Sequence, residues 1–180
     1  MRISILFILS LIYFNAQSQI SKVTIQASGL TCSMCSNSIN KALKSVDYVD
    51  NVVANIKNST FEITFKPDAK VNFDQLKKKV EAAGFFVAKF EANVNFDHLT
   101  VSDESHVELF GTMFHFMNVG ERILNNETVI RVIDKGFVTQ KEFKKNSKYT
   151  TMECYQTGVM GRCCKQNVKS EGVRIYHVTI

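Results

Sequence analysis

The sequence predicts an α+β protein. A ferredoxin-like βαββαβ domain spans residues 21–90, and a smaller β-rich domain, barrel- or sandwich-like, follows over residues 91–180. Three observations predict this. Apolar and polar residues alternate in four short runs of the first half, the period of a half-buried strand. Two stretches between those runs place apolar residues on one helical face instead. Beyond residue 90 the runs are short and punctuated by Asn, Asp and Gly, as in small all-β units.

The elements follow in order. Val23, Ile25 and Ala27 alternate with polar partners, and Gly29 ends the run. From Ser36 the period changes, with Ile39, Leu43 and Val46 on one face and Asn40, Lys41 and Lys44 outside it. Val52, Ala54 and Ile56 alternate over residues 48–56, and Lys57-Asn58 turns the chain. Phe61, Ile63 and Phe65 make the third strand, which Pro67-Asp68 closes. Asn72 with Gln75 three residues on has a capping-box arrangement, leading into a stripe of Phe73, Leu76, Val80 and Ala83. Gly84 stops that helix, and residues 85–90 read as the fourth strand. Strand–helix–strand–strand–helix–strand is the split βαβ order.

In front of this unit, residues 1–19 read as a secretory signal peptide. Arg2 is a short basic start, an apolar run leads to Phe14, and the small residues Ala16 and Ser18 follow. The mature protein is then expected in an exported, oxidising compartment, with a bacterial periplasm preferred. No apolar stretch of the 180 residues reaches the roughly 20 that a spanning helix needs, so no membrane span is expected. The net charge of +5 is too mild and dispersed to argue for a nucleic-acid partner, and none is expected.

Chemistry is carried by Cys32 and Cys35. Cys-x-x-Cys at a loop-to-helix junction lets two sulfurs converge, one from the loop and one from the first helical turn. The helix N-terminus favours thiolates, lowering both thiol pKa values. Soft thiolates select Cu(I), Zn(II) and other thiophilic ions. Two ligands are too few for a tetrahedral structural zinc site, which leaves a low-coordinate, exchangeable one. Met34 lies between the two cysteines and is expected to make an apolar surface contact rather than supply a third ligand.

The run Gly29-Leu30-Thr31-Cys32-Ser33-Met34-Cys35, with Glu81-Ala82-Ala83-Gly84-Phe85 some fifty residues later, resembles the heavy-metal-associated (HMA) domain family. That family includes copper chaperones, the mercury-binding periplasmic protein and N-terminal modules of metal-pumping ATPases. The resemblance covers residues 21–90. It implies that Cys32 and Cys35 are the metal thiolates. It also implies that Leu30, in place of the usual Met, anchors the loop, and that Phe85 or Phe86 shields the metal.

Residues 91–180 resemble no family. His106–Met117 alternates, and Met113-x-His115-x-Met117 would share one face of a strand. A core or half-exposed strand face is the expected role, with Cu(I) ligation as the alternative. Asn125-Asn126-Glu127 reads as a turn before a strand at 128–133, residues 141–145 as a short helix, and residues 173–180 as a final strand. Met152, Cys154, Met160, Cys163 and Cys164 crowd into a short stretch. A disulfide from Cys154 to Cys163 or Cys164 and a second soft-metal cluster both remain open; the oxidising compartment favours the disulfide. Five cysteines are an odd number, so at least one is free, metal-bound or intermolecular. His98, His106 and His177 read as isolated, with surface or packing roles.

The expected function is therefore that of an exported, non-enzymatic carrier of a soft ion. Cu(I) heads the candidates, with Hg, Zn and Cd accepting the same thiolates. The partner is an exported or membrane-bound metal-accepting protein that takes the ion by ligand exchange. A thiol–disulfide oxidoreductase is the main alternative, opposed by the lack of any Trp and by Pro67 as the sole proline. An exported interaction module with a metal-sensing domain is the other.

Overall fold

A computed structural model describes residues 20–30, 32–164 and 171–180. The signal-peptide segment 1–19 and Thr31 of the cysteine motif lie outside the described residues.

The first half forms as its patterns require, except that Ile56, expected to face the same way as Val52, lies beyond the second strand and is exposed where the chain turns. Strand β1 (Ile20–Ser28) buries Ile20, Val23, Ile25 and Ala27. Helix α1 (Ser33–Lys44) buries Ser36, Ile39 and Leu43 at helical spacing. Strands β2 (Val49–Asn55) and β3 (Thr60–Phe65) pair antiparallel, with Val52 opposite Ile63. Helix α2 (Phe73–Ala82) starts where Asn72 Oδ1 accepts the Gln75 N–H at 2.9 Å, satisfying one otherwise orphaned helix donor. Its buried face is Phe73, Leu76 and Val80. Gly84, at φ +89°, ends it in a conformation that side chains disfavour.

Strand β4 is the first departure. Expected to stop at Phe90, it runs from Phe86 to Val101. Its alternation simply continues through Phe90, Ala92, Val94 and Phe96, all buried, with no Gly or Pro to interrupt it. The boundary expected between residues 90 and 91 thus falls inside one strand. On one side β4 pairs with β1, Ile25 opposite Phe90; on the other it pairs with β7 (Arg122–Val132), Phe90 opposite Val132.

Residues 91–180 therefore extend the first sheet rather than closing a barrel or stacking a sandwich. Among the described residues, eight strands run in the order β2-β3-β1-β4-β7-β8-β6-β5. The first four reproduce the split βαβ arrangement. His106–Met117 is not one strand: β5 (His106–Leu109) and β6 (Thr112–Phe116) form a hairpin. Phe110 and Gly111, both at positive φ, make its two-residue turn. The Asn125-Asn126 pair is no turn either. Asn126, at φ +61°, sits within β7 opposite an irregularity of β4 between Phe96 and Leu99. Strand β8 (Ile175–Thr179) slots between β7 and β6, antiparallel to the first and parallel to the second. Helix α3 (Gln140–Asn146), a 3-10 turn (Ser147–Tyr149) and the short α4 (Cys154–Thr157) lie between β7 and β8 in the chain.

One apolar core spans both halves. Phe73 of α2 packs on Phe90 at 4.9 Å between ring centroids and on Tyr176 of β8 at 5.2 Å. Phe137 meets Phe90 at 5.2 Å. Arg174 adds a polar clamp: its Nε donates to Asp74 Oδ2 and its Nη2 to Asp134 Oδ2, each at 2.8 Å. The Tyr176 hydroxyl donates to the same Asp74 at 3.0 Å. The N-terminus of α2 is thereby fastened to the last strand.

Candidate metal centre

Cys32 is the N-cap of α1. Its extended backbone (φ −152°, ψ 162°) carries the chain from β1 into the helix, and Gly29 at φ +84° provides the preceding bend. Cys35 falls in the first turn, so three residues of separation bring both side chains to one end of the helix. Their Sγ atoms lie 2.8 Å apart, and the Cys35 backbone N–H points at Cys32 Sγ at 3.4 Å. Cys32 is exposed and Cys35 half-buried. Hydrogen bonds from the Cys35 thiol and from its backbone N–H hold the Cys32 thiol below its ordinary value.

The pair opens onto a shallow groove lined by Met34, Asn37, Lys41, Ala83 and Phe85. Met34 is 80% exposed and projects into solvent. Of the two aromatic candidates for a shield, Phe85 lines the groove and packs on the core, whereas Phe86 is 72% exposed. Leu30 packs against the core beneath the motif. Metal–thiolate bonds are about 2.3 Å long, so an ion between the sulfurs would hold them roughly 4 Å apart. Cys32, at the helix cap with its side chain in water, is the residue free to move by that amount.

A profile of the heavy-metal-associated domain matches residues 24–86. The mercuric transport protein periplasmic component of Pseudomonas fluorescens is 36% identical over 63 residues, which is 35% of this chain and 68% of that protein. The chain belongs to the heavy-metal-associated domain family. A probable copper-transporting ATPase of Arabidopsis thaliana is 30% identical over 82 residues, 46% of this chain but 8% of the ATPase. The chain thus spans less than a tenth of that relative. Among solved structures, oxidised MerP from Ralstonia metallidurans CH34 is 31% identical and aligns over 37% of this chain and 92% of its own, with a TM-score of 0.35. The family match ends at residue 86, so the heavy-metal-associated portion accounts for β1 to the start of β4 and leaves the rest of the sheet unassigned.

The remaining sequence candidates fall out differently. All five cysteines are free, so the disulfide favoured for Cys154 is not formed. Met113, Met152, Cys154, Met160, Cys163 and Cys164 do come together, around Ile175. The Met113-x-His115-x-Met117 trio is divided. Met113 packs against that cysteine cluster, His115 lies beside it, and Met117 turns to a separate core with Ile133, Phe143 and Tyr155. His98 is exposed beside Asp97. His106 and His177 are not isolated: with His115 they form a row across three adjacent strands, His106 opposite His115 and His115 opposite His177. Sequence reasoning missed this row, and the only local signal for it was the strand alternation around each histidine.

Proposed function

We propose that this protein is an exported carrier of a soft metal ion, foremost Cu(I), which it binds through Cys32 and Cys35 and passes to a partner by ligand exchange. The single observation that carries the reading is the convergence of two sulfurs, one exposed and one half-buried, at the capped N-terminus of a heavy-metal-associated domain helix. An ion held there by two thiolates keeps open coordination positions. An incoming thiolate of the acceptor adds to the ion, one protein sulfur leaves, and the second exchange completes the transfer. No free ion need enter solution.

The names of the relatives support the choice of ion, since they point to copper and to mercury. The apolar run of residues 3–14 and the small residues after it support export. Among the described residues no helix is long and apolar enough to cross a membrane. A membrane-bound acceptor would therefore be a separate chain meeting the groove, with Lys41 at its edge offering charge for the encounter.

The test is a titration of the reduced full chain and a Cys32→Ser/Cys35→Ser variant with Cu(I) in competition with a chromophoric chelator. The wild type is expected to bind one tight equivalent more than the variant. It should release that equivalent to a thiolate-bearing acceptor domain faster than the chelator can intercept it. Equal stoichiometry and affinity in the two proteins would overturn the assignment.

A further inference from the structure

The half of the chain beyond the family match buries a second collection of metal-ligating side chains. Cys154, at the start of α4, is fully buried, and Cys164 is nearly so. The sulfurs of Cys154, Cys163 and Cys164 lie within 4.8 Å of one another, with Cys163 and Cys164 at 3.7 Å. On its other side Cys154 meets the histidine row: His177 Nε2 is 3.4 Å from its sulfur and His115 Nδ1 is 3.9 Å away. His106 stacks on His115 at 4.3 Å, and His106, His115 and Cys154 also offer ligand atoms within 4.8 Å of one another.

Three features separate this cluster from ordinary core packing. First, the separations fit. Ligand atoms around a tetrahedral ion with bonds of about 2.0–2.3 Å stand roughly 3.3–3.8 Å apart. Second, polar capacity is left over. His115 is fully buried, yet its Nε2 has no hydrogen bond, and neither has His106 Nε2. Glu104 Oε2 stands 3.3 Å from His115 Nε2 without hydrogen-bonding geometry. A buried imidazole nitrogen without a partner costs free energy, which sets the row beside Cys154 apart from simple packing; the His115 nitrogen nearer the sulfur is Nδ1. Third, His177 is oriented as metal-facing histidines are. Its Nδ1–H donates to Asp134 Oδ1 at 2.6 Å, and Asp134 is itself fixed by Arg174 and by the His177 backbone N–H. The carboxylate accepts, so Nε2 is the ring nitrogen turned toward Cys154. Met113, Met152 and Met160 surround the site with polarisable thioethers.

We propose that Cys154, Cys163 and Cys164 form a second, largely buried three-sulfur site for a thiophilic d10 ion, Cu(I) or Zn(II), with the histidine row backing Cys154 from its other side. Uptake replaces three S–H bonds by three metal–sulfur bonds, and three protons pass to the buffer; no oxidant or reductant takes part. Burial makes this an ion that is retained, in contrast to the exchangeable one at Cys32 and Cys35. The cluster belongs to the unassigned half of the sheet, so the inference stands independently of the proposed carrier function.

The experiment uses the full chain carrying Cys32→Ser/Cys35→Ser, whose substitutions lie on the surface and leave the buried cluster untouched. It is purified under reducing, anaerobic conditions and titrated separately with Cu(I) and with Zn(II). One tight equivalent of at least one ion is expected, and X-ray absorption on that ion should show a shell with at least three sulfurs at about 2.3 Å. Cu(I) with sulfur alone and Zn(II) with three sulfurs and one light-atom ligand are the two supporting arms. Adding Cys154→Ser and Cys164→Ser should remove the equivalent. Binding of neither ion by the surface variant, or a shell dominated by oxygen, overturns the proposal. So does a Cys154 disulfide in the freshly purified protein. One equivalent in the wild type and none in the surface variant would sink this site while sparing the carrier function; one equivalent in both would do the reverse.

Discussion

The two cysteine groups of this chain use the same functional group in opposite surroundings. Cys32 caps a helix in water, and its neighbour's thiol and N–H draw its thiol below the ordinary value. Cys154 is sealed against histidines and methionines, where burial and the adjacent Cys164 and Cys163 push its thiol up. The difference teaches that surroundings, not residue type, set how readily a thiol ionises and how easily a reagent reaches it. The exposed pair rests on local geometry, one helix cap and three residues of spacing. The buried group needs α4, the following loop and three strands to be in place together.

Thiol labelling tests this contrast with the largest expected effect. In the reduced, metal-free protein, iodoacetamide should modify Cys32 roughly 1,000-fold faster or more than Cys154, because reagent reaches Cys154 only through an opening reaction. Comparable rates, read by peptide mass spectrometry, would break the comparison. Next comes the clamp that supports the buried side. Arg174→Ala removes the cation shared by Asp74 and the buried Asp134, leaving Asp134 only its bonds from His177, and should lower stability by about 3 kcal/mol in urea unfolding. It should leave the labelling rate of Cys32 unchanged while raising that of Cys154.

A pH series sharpens the same point. Burial raises the Asp74 carboxyl, but the bond and charge of Arg174 and the Tyr176 hydroxyl outweigh it and hold it below its ordinary value. A depressed carboxyl contributes stability above its unfolded pKa of about 3.9 and loses it as pH falls through the folded value. Unfolding midpoints should therefore drop on acidification below about pH 4, and Asp74→Asn should flatten that part of the curve while lowering the plateau at neutral pH. The smallest effect is expected at Met34. Its side chain is 80% exposed, so Met34→Ala should change stability by no more than about 0.5 kcal/mol. It should also leave the Cu(I) affinity of the exposed pair within about twofold, as a residue that supplies no ligand must.

Much of the first half was legible in the sequence because its determinants are local. Alternation marks β1 and β3, a 3.6-residue stripe marks α1 and α2, Asn72 and Gly84 mark where α2 begins and ends, and the cysteine spacing alone puts two sulfurs at one helix cap. The second half was not legible to the same depth. Alternation says that β4 is a strand but not that it continues past Phe90 to take β7 as a second neighbour. The pattern around Asn125-Asn126 cannot distinguish a hairpin turn from a bulge. The parallel insertion of β8 beside β6 is a pairing between residues about sixty positions apart, which leaves no local trace.

By itself, then, the chain's residue order determined where helices and strands form and that Cys32 and Cys35 converge, since neighbours along the backbone settle both. Only the tertiary structure decided that His106, His115 and His177 stand side by side next to Cys154. Side-chain proximity across a sheet depends on strand order and register, and these are fixed by the shared core of Phe73, Phe90, Phe114 and Tyr176 rather than by any one segment.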